Sequence, residues 1–408
     1  AFEQFYVNSP ICSPSRVALS TGQYPQRWKI ESYLDNRKIN RARGMADWLD
    51  PKAPMLARDL HDAGYATGHF GKWHMGGQRD VADAPPITRY GFDESLTNFE
   101  GMGPKLLPLT MEPGKPGPGR IWEDAERLGG PFTWMQRSEI TGGYVHAALD
   151  FMKKAQAAGK PFYVNLWPDD VHSPFFPPVE KWGKNKRERY LGVLTEMDRQ
   201  LGLLFDYVRD DDALRENTLI VFCSDNGPEP GAGESRALKG SKGALFEGGI
   251  RSPLIVWGPG IVDGAAAGTR NTSSVIAAID VAPSLLALAG VTPGAGIVRD
   301  GENLLDTLTG HSTQSRQQPL FFSRPPDRKD FAGFTALPDL AVRQGEWKLL
   351  CDYDGGRPLL YNLHADPGET NNLAETKPDL AKEWADRAVH WYQSVRNAPV
   401  QPPWQRGI

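Results

Sequence analysis

Short apolar runs ending in polar, glycine-containing loops alternate along this chain with stretches of helical period, the pattern of an α/β protein with a largely parallel sheet. Residues 65–70 read as a strand running into Gly71-Lys72-Trp73-His74. Residues 161–167 read as another, running into Asp169-Asp170-Val171-His172, and residues 218–223 as a third, running into Ser224-Asp225-Asn226-Gly227. Tyr190, Val193, Leu194, Met197, Leu201, Leu204, Phe205 and Val208 fall on one face at helical spacing, which places a packing helix between the last two strands. Residues 102–130 are rich in Pro and Gly with no clear period, so a long surface excursion that shapes access to a site is expected there. From residue 319 the character changes. Strand-like runs at 341–342, 347–353 and 359–361 precede a helix predicted over 378–396. A catalytic domain over 1–318 followed by a small α+β domain over 319–408 is therefore expected. No repeat is visible, which sets solenoids aside.

Composition narrows the function. At 408 residues the chain exceeds the usual limit for one core. Its 46 Lys and Arg against 50 Asp and Glu give a net charge of -4, which argues against a nucleic-acid partner and for a small or modular ligand. Cys12, Cys223 and Cys351 are too few and scattered for a disulfide framework or zinc cluster. Cys223 and Cys351, in apolar strand-like settings, read as buried small hydrophobes. No apolar run is long enough for a membrane span, and the opening AFEQFYVNSPIC lacks the regions of a signal peptide. Asn271-Thr272-Ser273 carries little weight as a glycosylation triplet.

In open α/β sheets ligands sit outside the carboxyl ends of the strands, so the three polar endings are expected to converge. They carry ordered motifs. Cys12-Ser13-Pro14-Ser15-Arg16 is followed by Thr21-Gly22, and Gly64-Tyr65-Ala66-Thr67-Gly68-His69-Phe70-Gly71-Lys72-Trp73-His74 follows downstream. Asp225-Asn226-Gly227, then Lys242-Gly243-Ala244-Leu245-Phe246-Glu247-Gly248-Gly249-Ile250-Arg251, and finally Leu360-Tyr361-Asn362-Leu363-His364-Ala365-Asp366-Pro367-Gly368-Glu369 complete the set. In this order the motifs resemble those of the type I, formylglycine-dependent sulfatases of the alkaline phosphatase superfamily, over nearly the whole chain.

The resemblance implies an alkaline-phosphatase-like α/β sandwich: a large, mostly parallel mixed sheet between helices, plus a small C-terminal α+β domain. It implies a sulfuric ester hydrolase acting on a sulfated carbohydrate or aryl sulfate. Cys12 is expected to be oxidised to formylglycine, whose hydrate supplies the nucleophilic hydroxyl. Arg16 is expected to begin a helix beside the nucleophile and hold it by directed hydrogen bonds. Lys72 and Lys242 would neutralise sulfate oxygens, His74 would assist sulfate release, and His172, with Lys242, would protonate the leaving group. Asp225, Asn226 and residue 12 would bind one Ca²⁺. A formylglycine-generating or other maturation enzyme is the implied protein partner, and export to the periplasm or medium is expected.

The family also places an Asp-Asp pair upstream of the signature cysteine. The chain therefore reads as N-terminally truncated, with part of the metal site and a central strand missing, and weak stability or low solubility is expected. Two alternatives stand beside the sulfatase reading: a phosphonate monoester or phosphodiester hydrolase of the same superfamily, and a non-catalytic sulfate-binding relic. Asp169 and Asp170 read as a solvated, substrate-facing loop. His61, His69 and His146 read as structural, and Glu247 as support for Lys242 through a tight turn. Phe92, Phe99, Trp122 and Trp134 offer faces on which a sugar or aryl ring could stack, but aromatics in such loops more often pack internally.

Overall fold

The computed structural model describes residues 1–294, 296–327, 329–330 and 333–397. Three hydrogen-bonded sheets organise them. The first joins β1 (Phe2–Tyr6), β8 (Ile220–Cys223), β9 (Arg251–Trp257) and β10 (Ile276–Ala277) in the order β10-β1-β9-β8. The second holds β2 (Ala66–Gly71), β3 (Glu94–Thr97), β4 (Lys105–Thr110), β5 (Gly119–Arg120), β6 (Phe132–Gln136) and β7 (Phe162–Trp167), in the order β5-β4-β3-β2-β7, with β6 also on β4. β2, β3, β4, β6 and β7 run parallel.

Alternation along β7 shows why the second sheet needs helices on both faces. Phe162, Val164 and Leu166 join the core made with helices Ile140–Ala157 and Lys186–Asp210, whereas Tyr163 and Trp167 join the opposite one. The register then does functional work: Gly71 stands opposite Thr97 on one side and Trp167 on the other, so the polar segments after β2, β3 and β7 leave the sheet at one level. Among the described residues β7 pairs only with β2, and β8 only with β9.

The third sheet is antiparallel, ordered β11 (Leu320–Ser323), β12 (Leu340–Gln344), β13 (Trp347–Cys351), β14 (Leu359–Asn362). One face, with Leu340, Val342, Leu349, Cys351 and Leu360, is covered by Ala381, Trp384, Ala385 and Ala388 of helix Pro378–Asn397. The other, with Phe322, Ala341, Leu350 and Tyr361, enters the same core as Phe5, Tyr6 and Ile276 of the first sheet. No described helix is long and apolar enough to cross a membrane.

The helix expected from residue 190 onward spans Lys186–Asp210, and its Val193, Met197, Leu201, Leu204 and Val208 are buried. Leu194, expected on the same face, is 36% exposed. The surface excursion expected over 102–130 is corrected at its start. β4 is a buried strand between β3 and β6, and Lys105 is buried with it because its ammonium donates to the carbonyls of Gly103, Leu128 and Gly129 at 2.7, 3.3 and 2.6 Å.

Candidate active site

Helix Cys12–Thr21 starts on the signature cysteine itself, after an extended Ile11, and not at Arg16 as expected. Ile11 supplies no side-chain cap, Pro14 brings no N–H, and the Ser15 N–H donates to the Ile11 carbonyl at 3.4 Å. Arg16, one turn on, does not reach back to Cys12. Its Nε and Nη2 donate to Asp225 Oδ2 at 3.1 and 2.8 Å, its Nη1 donates to the Lys72 carbonyl at 2.7 Å, and the guanidinium lies 5.0 Å from the Trp167 ring centroid. One side chain thus fastens the endings of β2, β7 and β8 around the start of the helix.

Lys72 owes its position to Gly71, which has φ +114; a Cβ there would lie 2.2 Å from the Trp167 carbonyl oxygen. The Lys72 N–H donates to that oxygen at 2.8 Å, and its side chain is 2% exposed, with Nζ 2.9 Å from Glu100 Oε2. Burial would strip its proton, yet Cys12 and Glu100 outweigh burial and hold the ammonium above its ordinary range. His74 takes a left-handed φ of 52° and donates its backbone N–H to the Glu100 carbonyl at 2.8 Å. Its Nε2 lies 3.1 Å from the Leu34 carbonyl and 3.2 Å from Glu100 Oε1; both accept, so Nε2 carries the proton. Nδ1 is buried on the other side of the ring, and His74 lies close enough to Cys12 to help lower its thiol.

His172 donates Nδ1–H to the Ser173 carbonyl at 2.7 Å. Burial, with Lys72 and Lys242 nearby, pushes its ring down to about 4, so it is neutral near pH 7 with Nε2 bare. Lys242 is held through its backbone N–H to the Pro228 carbonyl at 3.1 Å and through Nζ to Glu229 Oε2 at 3.2 Å. Glu229 in turn accepts from the Ser173 hydroxyl at 3.0 Å, which joins the Lys242 and His172 loops. Cys12 is 4% exposed. Burial raises its thiol, but Lys72 and Lys242 together overcome that and bring it down to about 7.

The Asp225-Asn226 turn is fixed from behind: the Gly227 N–H donates to the Gly249 carbonyl at 2.9 Å, and a Cβ on Gly227 would lie 2.1 Å from the Gly248 carbonyl oxygen. Asn226 Oδ1 is buried with no hydrogen-bond partner, a hard oxygen donor left free, which fits a Ca²⁺ ligand. Among the described residues no group of three or more His, Cys, Asp or Glu is placed to hold a metal, so Asp225 and Asn226 form a partial set for an ion that takes about six to eight oxygens.

The geometry therefore gathers Cys12, Arg16, Lys72, His74, His172, Lys242, Asp225 and Asn226. It adds Glu100 and Glu229, which carry no motif. Two readings need correction. Asp169 and Asp170 are each 4% exposed, not solvated. Asp169 pairs with Arg137 Nη1 at 2.7 Å and accepts from Asn98 Nδ2 at 2.8 Å; burial raises its carboxyl, but Arg137, Lys72 and Asn98 together hold it down to about 2. Asp170 accepts from the Thr141 hydroxyl, and burial pushes it up to about 6.

Glu247 lies deeper than a neighbour of Lys242 would: it is fully buried, accepts from the Tyr6 hydroxyl at 2.6 Å, and pairs with Lys348 Nζ at 2.9 Å. His69, its ring edge-on to Trp73, Phe92 and Trp167, is kept neutral by burial. Phe99 stacks on Trp122 with centroids 3.7 Å apart, an internal contact as expected.

Comparison with known proteins accords with this geometry. Residues 1–291 match the Sulfatase family, and residues 240–387 match the family described as N-sulphoglucosamine sulphohydrolase, C-terminal. The chain is 32% identical over 342 residues to the N-acetylgalactosamine-6-sulfatase of Canis lupus familiaris, covering 79% of this chain but only 61% of that relative's length. It is 31% identical over 419 residues to the arylsulfatase A of Bos taurus, covering 94% of this chain and 78% of that one. The solved structure of Ps i-CgsB in complex with k-i-k-neocarrahexaose superposes with a TM-score of 0.77 at 26% identity, covering 98% of this chain and 86% of that one. With the family matched over most of its length, and the signature residues drawn from four separate segments to one buried cysteine, this chain belongs to the sulfatase family.

Proposed function

We propose that this protein hydrolyses a sulfate ester, most fittingly of a carbohydrate, at the site centred on Cys12. One observation carries the reading: Lys72 and Lys242 converge on a buried residue 12 strongly enough to reverse the effect of burial on its thiol. A site so charged is suited to hold anionic oxygens against residue 12. The saccharide bound by Ps i-CgsB supports a carbohydrate substrate.

Sulfatases generally depend on formylglycine and Ca²⁺. Formylglycine formed from Cys12 would supply an oxygen nucleophile in its hydrated state; Asp225, Asn226 and an oxygen on residue 12 would hold the ion, which would polarise sulfate. The remaining work falls to this chain's own side chains. Lys72 and Lys242 bind the non-bridging sulfate oxygens and stabilise the charge that builds on them. Arg16 keeps Asp225 and the Lys72 backbone in register. His74, whose ring lies within hydrogen-bonding reach of residue 12, accepts the proton that an oxygen there must lose. Burial and the two lysines keep the His172 ring neutral; the anion's charge offsets the lysines, so Nε2 takes up a proton from solvent as the ester binds and then delivers it to the leaving oxygen. A maturation enzyme, export to the periplasm or medium, and a division near residue 319 belong to the same proposal.

The test is peptide mass spectrometry of residue 12 after coexpression with a formylglycine-generating enzyme, followed by rates on aryl sulfate, sulfated saccharide and phosphodiester substrates. Conversion of Cys12 with faster sulfate release is the expected result. An unmodified thiol beside a matured positive control would end the hydrolase reading. Faster phosphodiester turnover would transfer it to the superfamily alternative.

A further inference from the structure

Glu100 stands out among the buried groups of the site. A sulfate site gains from cations, and this one places a carboxylate, 7% exposed, directly on its most buried cation. The carboxylate spans two functional side chains, one oxygen for each: Oε2 to Lys72 Nζ at 2.9 Å and Oε1 to His74 Nε2 at 3.2 Å. Its backbone is held as firmly. The carbonyl accepts the His74 N–H at 2.8 Å, and the Glu100 N–H donates to Asn98 Oδ1 at 2.9 Å. Asn98 Nδ2 donates to Asp169 Oδ2 at 2.8 Å, and Arg137 grips Asp169 through its carboxylate at 2.7 Å and its carbonyl at 2.6 Å. This buried relay, running from the start of helix Ile140–Ala157 through the ends of β7 and β3, ends at Glu100. A carboxylate so anchored cannot swing away when a second anion arrives.

We propose that Glu100 is a positioning residue that competes with sulfate for Lys72, and so weakens the hold of the site on its product more than on its substrate. The inference rests on the sulfate-ester reading above. A sulfate ester carries one negative charge and released sulfate carries two, so a fixed negative charge beside Lys72 penalises the product more than the ester. Binding that is too tight in the product state slows turnover without helping the chemical step. The same carboxylate fixes the Lys72 ammonium and holds the proton of His74 on Nε2.

The experiment is calorimetric titration of inorganic sulfate, in the presence of calcium, into the full chain with Cys12 unconverted, as wild type, Glu100→Gln and Glu100→Asp. Glu100→Gln keeps the shape and loses the charge, and sulfate affinity is expected to rise about tenfold or more. Glu100→Asp is too short to span Lys72 and His74, and is expected to fall between the other two. It carries the test alone if Glu100→Gln does not fold. In matured enzyme, inhibition by sulfate should tighten more than KM falls, while kcat drops.

An ion pair serving only to support the fold gives the opposite sign, because removing it loosens Lys72 and weakens sulfate binding. Equal or weaker binding by the folded variants therefore overturns the proposal. Absence of sulfate binding by all three proteins instead overturns the sulfate-ester reading on which it rests.

Discussion

Arg16 and Asp225, 209 positions apart, meet through two N–H groups on a single carboxylate oxygen, and the third donor of the same guanidinium holds the Lys72 carbonyl. The ammonium of a lysine at position 16 cannot reproduce that planar fork. Arg16→Lys is expected to lower kcat/KM by roughly a hundredfold, and to lower stability by about 2 kcal/mol through the carbonyl and carboxylate left short of donors. Steady-state kinetics and urea denaturation check the two halves separately.

Asp170 makes stability depend on pH with an unusual sign for a carboxylate. Burial raises it from 3.8 to about 6 in the folded protein, so between those values the folded state binds the extra proton. Stability is therefore lost as pH rises through this window, and the loss is complete above about pH 6. Asp170→Asn carries no charge to desolvate. It is expected to match wild type near pH 4 and to exceed it by ~2 kcal/mol at pH 8. Denaturation midpoints at the two pH values give the answer, and equal gains at both would refute the assignment.

The three cysteines should separate chemically in unconverted protein. Lys72 and Lys242 bring Cys12 to about 7, whereas burial lifts Cys223 and Cys351 to about 12. Brief treatment of native protein with iodoacetamide at pH 8 is expected to label Cys12, and to label the other two only after unfolding. Lys72→Met should slow the labelling of Cys12. Peptide mass spectrometry reads all three at once.

Lys348 is fully buried between two fully buried carboxylates, 2.9 Å from Glu247 Oε1 and 2.9 Å from Glu369 Oε1. Lys348→Met removes the ammonium that pairs with both and is expected to cost about 3–5 kcal/mol. Adding Glu247→Gln and Glu369→Gln removes the stranded charges, and most of that loss should return. The comparison is one of urea midpoints across the single and triple variants.

Much of this site was legible because its residues sit where simple periodicities end. Cys12 and Arg16 are one helical turn apart, and Lys72, His74, His172 and Asp225 follow strands whose apolar runs are unmistakable. Glu100 was not legible. It follows the short strand β3 in a Pro- and Gly-rich region, and a carboxylate in polar surroundings reads as solvated until Lys72 and His74 are known to face it. The same blindness applied to Asp169, whose burial depends on Arg137 and Asn98 from other elements. β4 was hidden by Lys105 and Pro108, which interrupt its apolar pattern; three carbonyls that accept from an ammonium cannot be seen in a linear sequence. The start of the first helix was misplaced because Ile11 has no capping side chain to announce it.

Glu369 reaches from the turn after β14 to accept the Glu247 N–H at 2.6 Å, and two residues further on the Gly249 carbonyl holds Gly227, next to Asn226. The third sheet thereby helps to hold the Asp225-Asn226 turn, and the two are expected to vary together. A chimera that drew residues 239–251 from one relative and 348–369 from another would bring strangers to this contact. Its activity would suffer although every residue that meets substrate had been kept. Exchange of exposed loops elsewhere carries no such penalty, so diversification of this protein is freest where the third sheet does not reach.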